Sequence, residues 1–365
     1  MRSVIPLTVF IFFLLPQIIL AQEEKGDSLF PVCLNGKYGF ININGELMIK
    51  AKYDSVKRFS YGVAPVYKKG KGWGIINHKA HLVKHYKYQD IGIFSSGVSV
   101  IEIPRGEYGT AYGVMDVKGK VVVKPRKGEI RPFYQGYATA IIAPHTIDSV
   151  WGVIDRSGRV IMPSRFANYE GYRGRFANGF SFQYTTCCAG QQGGFFDIAG
   201  INRYPYNYYS QFNDGLAVIG LKDHLGFIDT TFKMVIPPTY SFVSADDHDD
   251  QGFSEGICFA YADSLWKIID KHGAVLRIVN GLDMYPAPSK FHEGLAAVCK
   301  NKLWGFVNAK GEFVIQPRFN SVFSEGDGWE EKFCTVGFHD GLAAVELDGK
   351  MVYINKKGLV VWQVE

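Results

Sequence analysis

The residues best suited to chemistry in this chain sit where the pattern around them breaks. Asp246, Asp247, Asp249 and Asp250 crowd around His248, a density of oxygen ligands that could hold a hard cation such as calcium. The alternation and fixed glycine of a calcium loop are missing, so a solvated acidic loop is the competing reading. Tyr204, Tyr206, Tyr208 and Tyr209 form a second cluster. Exposed together, such amphipathic rings could stack on sugars or form a protein hot spot, whereas half-buried strand residues would give the same spelling. Trp329 lies in a third irregular stretch, Asp327-Gly328-Trp329-Glu330-Glu331-Lys332. Long loops of repeat proteins often belong to the binding face, which makes Trp329 a further candidate.

No motif nominates a catalytic residue or a cofactor. A nucleophile elbow, a His-Glu-x-x-His zinc pair and a phosphate loop are all missing. Gly70-Lys71-Gly72-Trp73-Gly74 has the glycines of a dinucleotide loop without the helix that must follow them. The six cysteines, Cys33, Cys187, Cys188, Cys258, Cys299 and Cys334, contain no Cys-x-x-Cys pair; buried thiols with one or two longer bridges are expected. The net charge of +5 is small, and lysines such as Lys68, Lys69 and Lys71 read as a hairpin tip. Nucleic acid, which needs a concentrated basic face, is not an expected partner.

What must position these candidates is a repeated phrase. An aromatic or large residue, then Gly, then two apolar residues, is followed by Asn or Asp and by Gly three positions later. The Asn or Asp recurs nine times, as Asn42, Asn77, Asp116, Asp155, Asp197, Asp229, Asp270, Asn308 and Asn355. The phrase reads as a strand that ends in a turn: the polar side chain bonds backbone ahead of it, and the later glycine takes positive φ. Ala80 and Phe232 replace that glycine, so their turns are expected to be altered or strained. A glycine inside a strand weakens it, so Gly39, Gly74, Gly113, Gly152, Gly194, Gly226 and Gly305 imply something bulky against bare backbone, with an aromatic ring of an adjacent unit the expected partner.

A small apolar strand precedes most of the phrases, as in Gly294-Leu295-Ala296-Ala297-Val298. A third follows it, as in Val314-Ile315-Gln316-Pro317, where the proline should end the strand or mark an edge. The fold class is therefore all-β: a tandem array of about nine three-stranded antiparallel meanders, with a possible short fourth strand in each linker. A unit this small buries its apolar face only by stacking on neighbours. The phrases lie about 38 residues apart, near the period of propeller blades. Nine blades exceed the usual four to eight, so an open curved or superhelical array is expected, with a closed propeller-like toroid the alternative.

Gly-Leu-Ala-Ala-Val, then Trp-Gly-Phe-Val-Asn, then Gly and Val-Ile-x-Pro, resembles the WG (KWG) repeat family of bacterial proteins over residues 29 to 362. Trp151 and Trp304 head the best matches, while Lys267 and Val352 replace the phrase glycine. The resemblance implies a β-rich scaffold, often exported, and carries over no catalytic residue.

Residues 1–21 have the three parts of a secretory signal, with Arg2, an apolar run from Val4 to Leu20, and Ala21 before the expected cut. Residues 22–365 then form one repeat array. An exported chain would lie in the periplasm, at the cell surface or outside the cell, with no stable membrane span once the signal is removed. The expected function is a non-catalytic scaffold for protein–protein interaction. A glycan or cell-wall binding module is the alternative, and a hydrolase on a propeller-like toroid comes third.

Overall fold

The computed structural model describes residues 28–105, 109–143, 150–167, 176–177, 180–187, 190–197, 208–247, 250–323 and 336–363. Every regular element among them is a strand, arranged in nine antiparallel sheets of sequence-adjacent strands plus one small two-stranded hairpin. Each sheet is one unit, numbered 1 to 9 along the chain. The expected all-β array of meanders is thus present.

Unit 8 shows why these residues fold this way. Its first strand, Leu295–Lys300, is buried over Leu-Ala-Ala-Val-Cys, and its second, Leu303–Asn308, is buried over Gly-Phe-Val. Both faces of the sheet are covered by neighbouring units, so the run is continuously apolar instead of alternating. The third strand, Phe313–Phe319, exposes Val314, Gln316 and Arg318 in part or whole and buries Ile315 and Phe319. It is the outer edge of the sheet. In units 2, 3, 7 and 9 a two-residue strand in the linker pairs with the first strand on the opposite edge, which is the short fourth strand expected.

The phrase turn behaves as its chemistry requires. Asn308 Oδ1 accepts the backbone N–H groups of Lys310 and Glu312 at 2.9 and 3.1 Å, and Gly311 N donates to Asn308 O at 2.9 Å with φ +74°. The same pair of side-chain bonds recurs at Asn42, Asn77, Asp116, Asp155, Asp229, Asp270 and Asn355. Ala80 and Phe232 keep this turn unaltered at φ +59° and +66°. They therefore carry the strain of left-handed backbone, about 1–2 kcal/mol for a residue with a Cβ.

The phrase glycine has a different neighbour from the one expected. A Cβ on Gly305 would lie 2.6 Å from Ile315 O and 2.7 Å from Pro317 N, and Gly226 meets Ile236 O and Pro238 N in the same way. No ring from another unit fills the space. The third strand of the same unit bulges there: Trp304 pairs with Phe319 and Phe306 with Ile315, so two steps on one strand oppose four on the other. Of the two places the sequence allows the proline, strand end or edge, it takes the edge: it sits in this bulge of the outermost strand, where its missing N–H costs no ladder bond. Where glycine is replaced, the bulge at that position disappears. Lys267 pairs in register with Ile278, and Val352 with Gln363.

Stacking is also repetitive, and it settles how the ends lie. The described turn glycines pack on the third strand of the unit before them: Gly158 on Val123, Gly273 on Ile236, Gly311 on Val279 and Gly358 on Ile315. Gly45 of unit 1 packs in this way on Val361 of unit 9. Phe30, Val32 and Ile41 share a core with Leu342, Ala344 and Tyr353, and Tyr353 Oη donates to Pro31 O at 3.0 Å. The array therefore returns on itself, the toroidal arrangement held as the alternative. Among the described residues no strand ladder crosses the junction, so the ring is not a barrel. Arg58 of unit 2 also reaches His339 of unit 9 past unit 1, at 3.2 Å. Units two apart can meet only near the axis, so the linker edge of each sheet faces inward and the third strand lies on the circumference.

Candidate functional site

Two features differ from the repeat: a polar cluster near the axis between units 6, 7 and 8, and the outer strand of unit 7. The cluster is built by an insertion. After Val243 the linker of unit 7 forms a hairpin, Ala245–Asp247 with Asp250–Gln251, whose base is tied by Gly252 N donating to Ser244 O at 2.9 Å. This hairpin points Asp246 and Asp250 at the segment preceding unit 8. Lys290 Nζ lies 2.6 Å from Asp250 Oδ1 and 3.6 Å from Asp246 Oδ2, and His292 Nε2 lies 2.6 Å from Asp246 Oδ2. Lys290 N also donates to Asp246 Oδ1 at 3.0 Å. From unit 6, Gln211 Nε2 and Asn213 Nδ2 donate to Asp250 Oδ1 at 2.7 and 2.9 Å.

The Asp246 side chain is 2% exposed and that of Lys290 8%. Charges held this deeply need donors and counter-charges, and here Asp246 accepts from Lys290 N and pairs with His292, while Asp250 Oδ1 takes Lys290, Gln211 and Asn213. The Lys290 ammonium occupies the place between Asp246 and Asp250 that a cation would need. Chemically the arrangement is a polar latch across three units. Asp249 lies outside the described residues, and of Asp247 only the backbone is described. Among the described residues no group of three or more His, Cys, Asp or Glu is arranged to hold a metal.

The tyrosine cluster is only partly visible. Tyr204 and Tyr206 lie outside the described residues, as does Trp329. Tyr208 and Tyr209 fall in the inner strand of unit 6, Tyr208–Asn213, opposite Gly220 and Ile219. The repeat tryptophans are core or half-buried: Trp266 is 1% and Trp151 9% exposed. Of the cysteines, Cys33, Cys258 and Cys299 are free. Burial pushes the Cys258 thiol up to about 12, and burial with the nearby Asp283 carboxylate takes Cys299 up to about 11. Both are inert packing groups at neutral pH. Cys188 and Cys334 lie outside the described residues.

Sequence reading missed a second set of turns. The residue before each unit's leading glycine has positive φ, as at Tyr61, Ser96, Gln135, Asp214, Glu255, Glu293 and Asp340, which makes a tight turn from linker to first strand. Its side chain accepts the glycine N–H of the next unit: Ser96 from Gly136 at 2.8 Å, Asp214 from Gly256 at 2.7 Å, Glu255 from Gly294 at 2.9 Å. The signal was a polar residue before each leading glycine.

The outer strand of unit 7, Val275–Val279, is the other departure. It has no proline and no bulge opposite Lys267, and keeps only the register shift between Ile268 and Ile269 that unit 8 shows between Phe306 and Val307. Val275 and Ile278 are 50% and 51% exposed, and Met284 and Tyr285 are exposed in the segment that follows.

Comparison with known proteins gives a family and a fold. The sequence model described as WG containing repeat matches residues 38–71, 73–103, 112–141, 226–250, 289–304 and 304–329. Trp304 lies inside these segments and Trp151 outside them. No curated protein matches the chain. A crystal structure of a eukaryotic initiation factor is similar over 92% of this chain and 95% of its own, at 10% identity and TM-score 0.55. Uncharacterized protein lmo1340 from Listeria monocytogenes EGD-e covers 76% of this chain and 94% of its own at 11% identity and TM-score 0.43. Kluyveromyces lactis Hsv2 covers 72% and 87% at 10% identity and TM-score 0.36. The first shows a shared fold; the other two are more distant. Six matched segments, set in one ring of units that share a phrase, a turn and a stacking contact, place the chain in the WG-repeat family.

Proposed function

We propose that the chain is an exported, non-catalytic scaffold that binds a protein partner by strand addition at the outer edge of unit 7. The observation that carries this reading is the exposed aliphatic edge strand Val275–Val279, which has no proline and no bulge opposite Lys267. Edge strands are usually blunted by bulges, prolines or lysines, because unpaired backbone groups template another strand. Units 4, 6 and 8 place Pro163, Pro237 and Pro317 in their third strands. Unit 7 has no proline or lysine in this strand and no bulge opposite Lys267, and it exposes Val275, Leu276 and Ile278, aliphatic side chains of the kind that strand-adding partners use.

The test is capture from the envelope fraction by the wild-type chain and by Val275→Lys/Ile278→Lys. A protein held by the first and lost by the second supports the reading; a partner retained by the variant sinks it. Export rests on residues 1–21, and fractionation with N-terminal sequencing checks it. A full-length chain found only in the cytosol would overturn it. The buried repeat tryptophans remove the reason for a glycan groove built on those rings.

A further inference from the structure

Charge is segregated around the ring. Residues 28–129, which hold units 1 to 3, carry 17 Lys and Arg against 7 Asp and Glu, whereas residues 208–365, units 6 to 9, carry 14 against 21. A net charge of +5 conceals this division. The cations of units 1 to 3 concentrate on the circumference. Their third strands, Leu47–Tyr53, Leu82–Tyr88 and Val121–Lys127, contain Lys50, Lys52, Lys84, Lys87, Lys124, Arg126 and Lys127 and no carboxylate. The third strands of units 6 to 9 contain only Arg277 and Arg318.

Register makes the contrast sharper. Lys50, His85 and Lys124 each follow the residue paired with the phrase's third position, so they stand at one level around the ring. At that level the other units place Pro163, Pro237, Ile278, Gln316 and Gln363. Lys50, Lys52, Lys87, Lys124 and Lys127 are exposed. None of them pairs with a described carboxylate, in contrast to Lys37 and Lys57, which bind Asp54 and Asp90.

We infer that this belt binds a linear acidic polysaccharide. A row of like charges held side by side across three units repels itself and is relieved by a multivalent anion laid along it. Three consecutive units of nine form a convex arc. A flat bilayer touches such an arc over a small part, and duplex DNA, with a persistence length of about 50 nm, is too stiff to follow it. A flexible chain with a charge on each sugar can follow it. Single-stranded nucleic acid would need exposed rings on which bases stack. Here Lys52 and Lys87 lie over Tyr53 and Tyr88, which are 2% and 1% exposed and so unavailable. Lysine in place of arginine also suits scattered carboxylates better than forked recognition of a phosphate. The inference concerns different residues from the partner edge of unit 7 and stands or falls apart from it.

The experiment measures binding of the full chain to alginate oligosaccharides at low salt, with dextran of equal length, duplex DNA and phosphatidylglycerol vesicles as comparators. Lys50→Glu/Lys52→Glu/Lys124→Glu/Lys127→Glu is set against Lys222→Glu/Lys233→Glu/Lys302→Glu/Lys310→Glu, which changes net charge equally on units 6 and 8. The expected result is alginate binding that falls about tenfold or more in the belt variant and less than about twofold in the control, with no dextran binding. The milder Lys50→Gln and Lys124→Gln, each expected to weaken alginate about two- to threefold, serve if the quadruple variant misfolds. Equal losses in both quadruple variants, silence towards alginate, or tighter binding of DNA or vesicles through the same lysines would each overturn the proposal.

Discussion

Units 7 and 8 are neighbours built from the same phrase, yet their outer edges are opposites. Unit 8 has Gly305, a third strand with two register shifts and Pro317; unit 7 has Lys267 paired in register with Ile278, one register shift and no proline. The difference teaches what the glycine is for. It admits the carbonyl and proline of its own third strand, and the bulge so formed blunts an edge that would otherwise template another strand. Family recognition and the bulge at the edge are therefore one device, and units 7 and 9, which replace the glycine with Lys267 and Val352, both lose the bulge opposite it.

The largest expected effect tests how the two units are joined. Lys290→Met removes the ammonium between Asp246 and Asp250 and leaves buried carboxylates without it. It should cost about 3–5 kcal/mol, read as a lower denaturant midpoint. A change under about 1 kcal/mol would mean the latch is solvated and does not hold units 6 to 8 together.

Gly305→Ala attacks the bulge itself. Its Cβ would fall 2.6 Å from Ile315 O, backbone that cannot yield without dissolving the bulge. A loss of about 2–3 kcal/mol is expected, the range for overpacking a fixed structure. The reverse change, Lys267→Gly, should also destabilise, by about 1 kcal/mol, because unit 7 has no bulge opposite this position and a strand glycine only adds chain entropy to the unfolded state. Stabilisation by Lys267→Gly would show that glycine is favoured at this position for some reason other than the bulge.

Local chemistry was legible in the sequence, and its limits are physical. The turn was readable because Asn308 bonds residues two and four positions ahead, within the phrase. Strand order and the small apolar first strand followed from pattern. The glycine's neighbour was misassigned because Ile315 and Pro317 reach it through a register shift that spelling does not display. Closure was equally hidden, since curvature is the sum of small rotations at each stacking contact and no residue encodes it. Asp246 looked like a ligand because its partners, Lys290 and His292, lie 44 and 46 positions away. The basic belt, by contrast, was available to a unit-by-unit charge count and was masked by the average.

The smallest effect separates the two residues that the phrase uses at its turn. Asp229 Oδ1 accepts the Thr231 hydroxyl at 2.6 Å and the N–H groups of Thr231 and Lys233 at 2.8 and 3.0 Å. The Thr231 hydroxyl, and then the backbone donors working against partial burial, hold its carboxyl below the usual carboxylate range. A carboxyl so lowered stabilises the fold above its unfolded value, and that contribution fades as pH falls through the folded one. Asn308 makes the same two backbone bonds with an oxygen that does not titrate. Asp229→Asn should therefore change stability by less than about 0.5 kcal/mol at neutral pH, the site being exposed and screened. In acid the wild type should lose its small advantage while the variant's turn stays intact, so their unfolding midpoints converge as the solution is acidified. A wild-type advantage well above about 0.5 kcal/mol at neutral pH that vanishes in acid would instead mean the charge, and not the acceptor geometry shared by Asn and Asp, is what closes the turn.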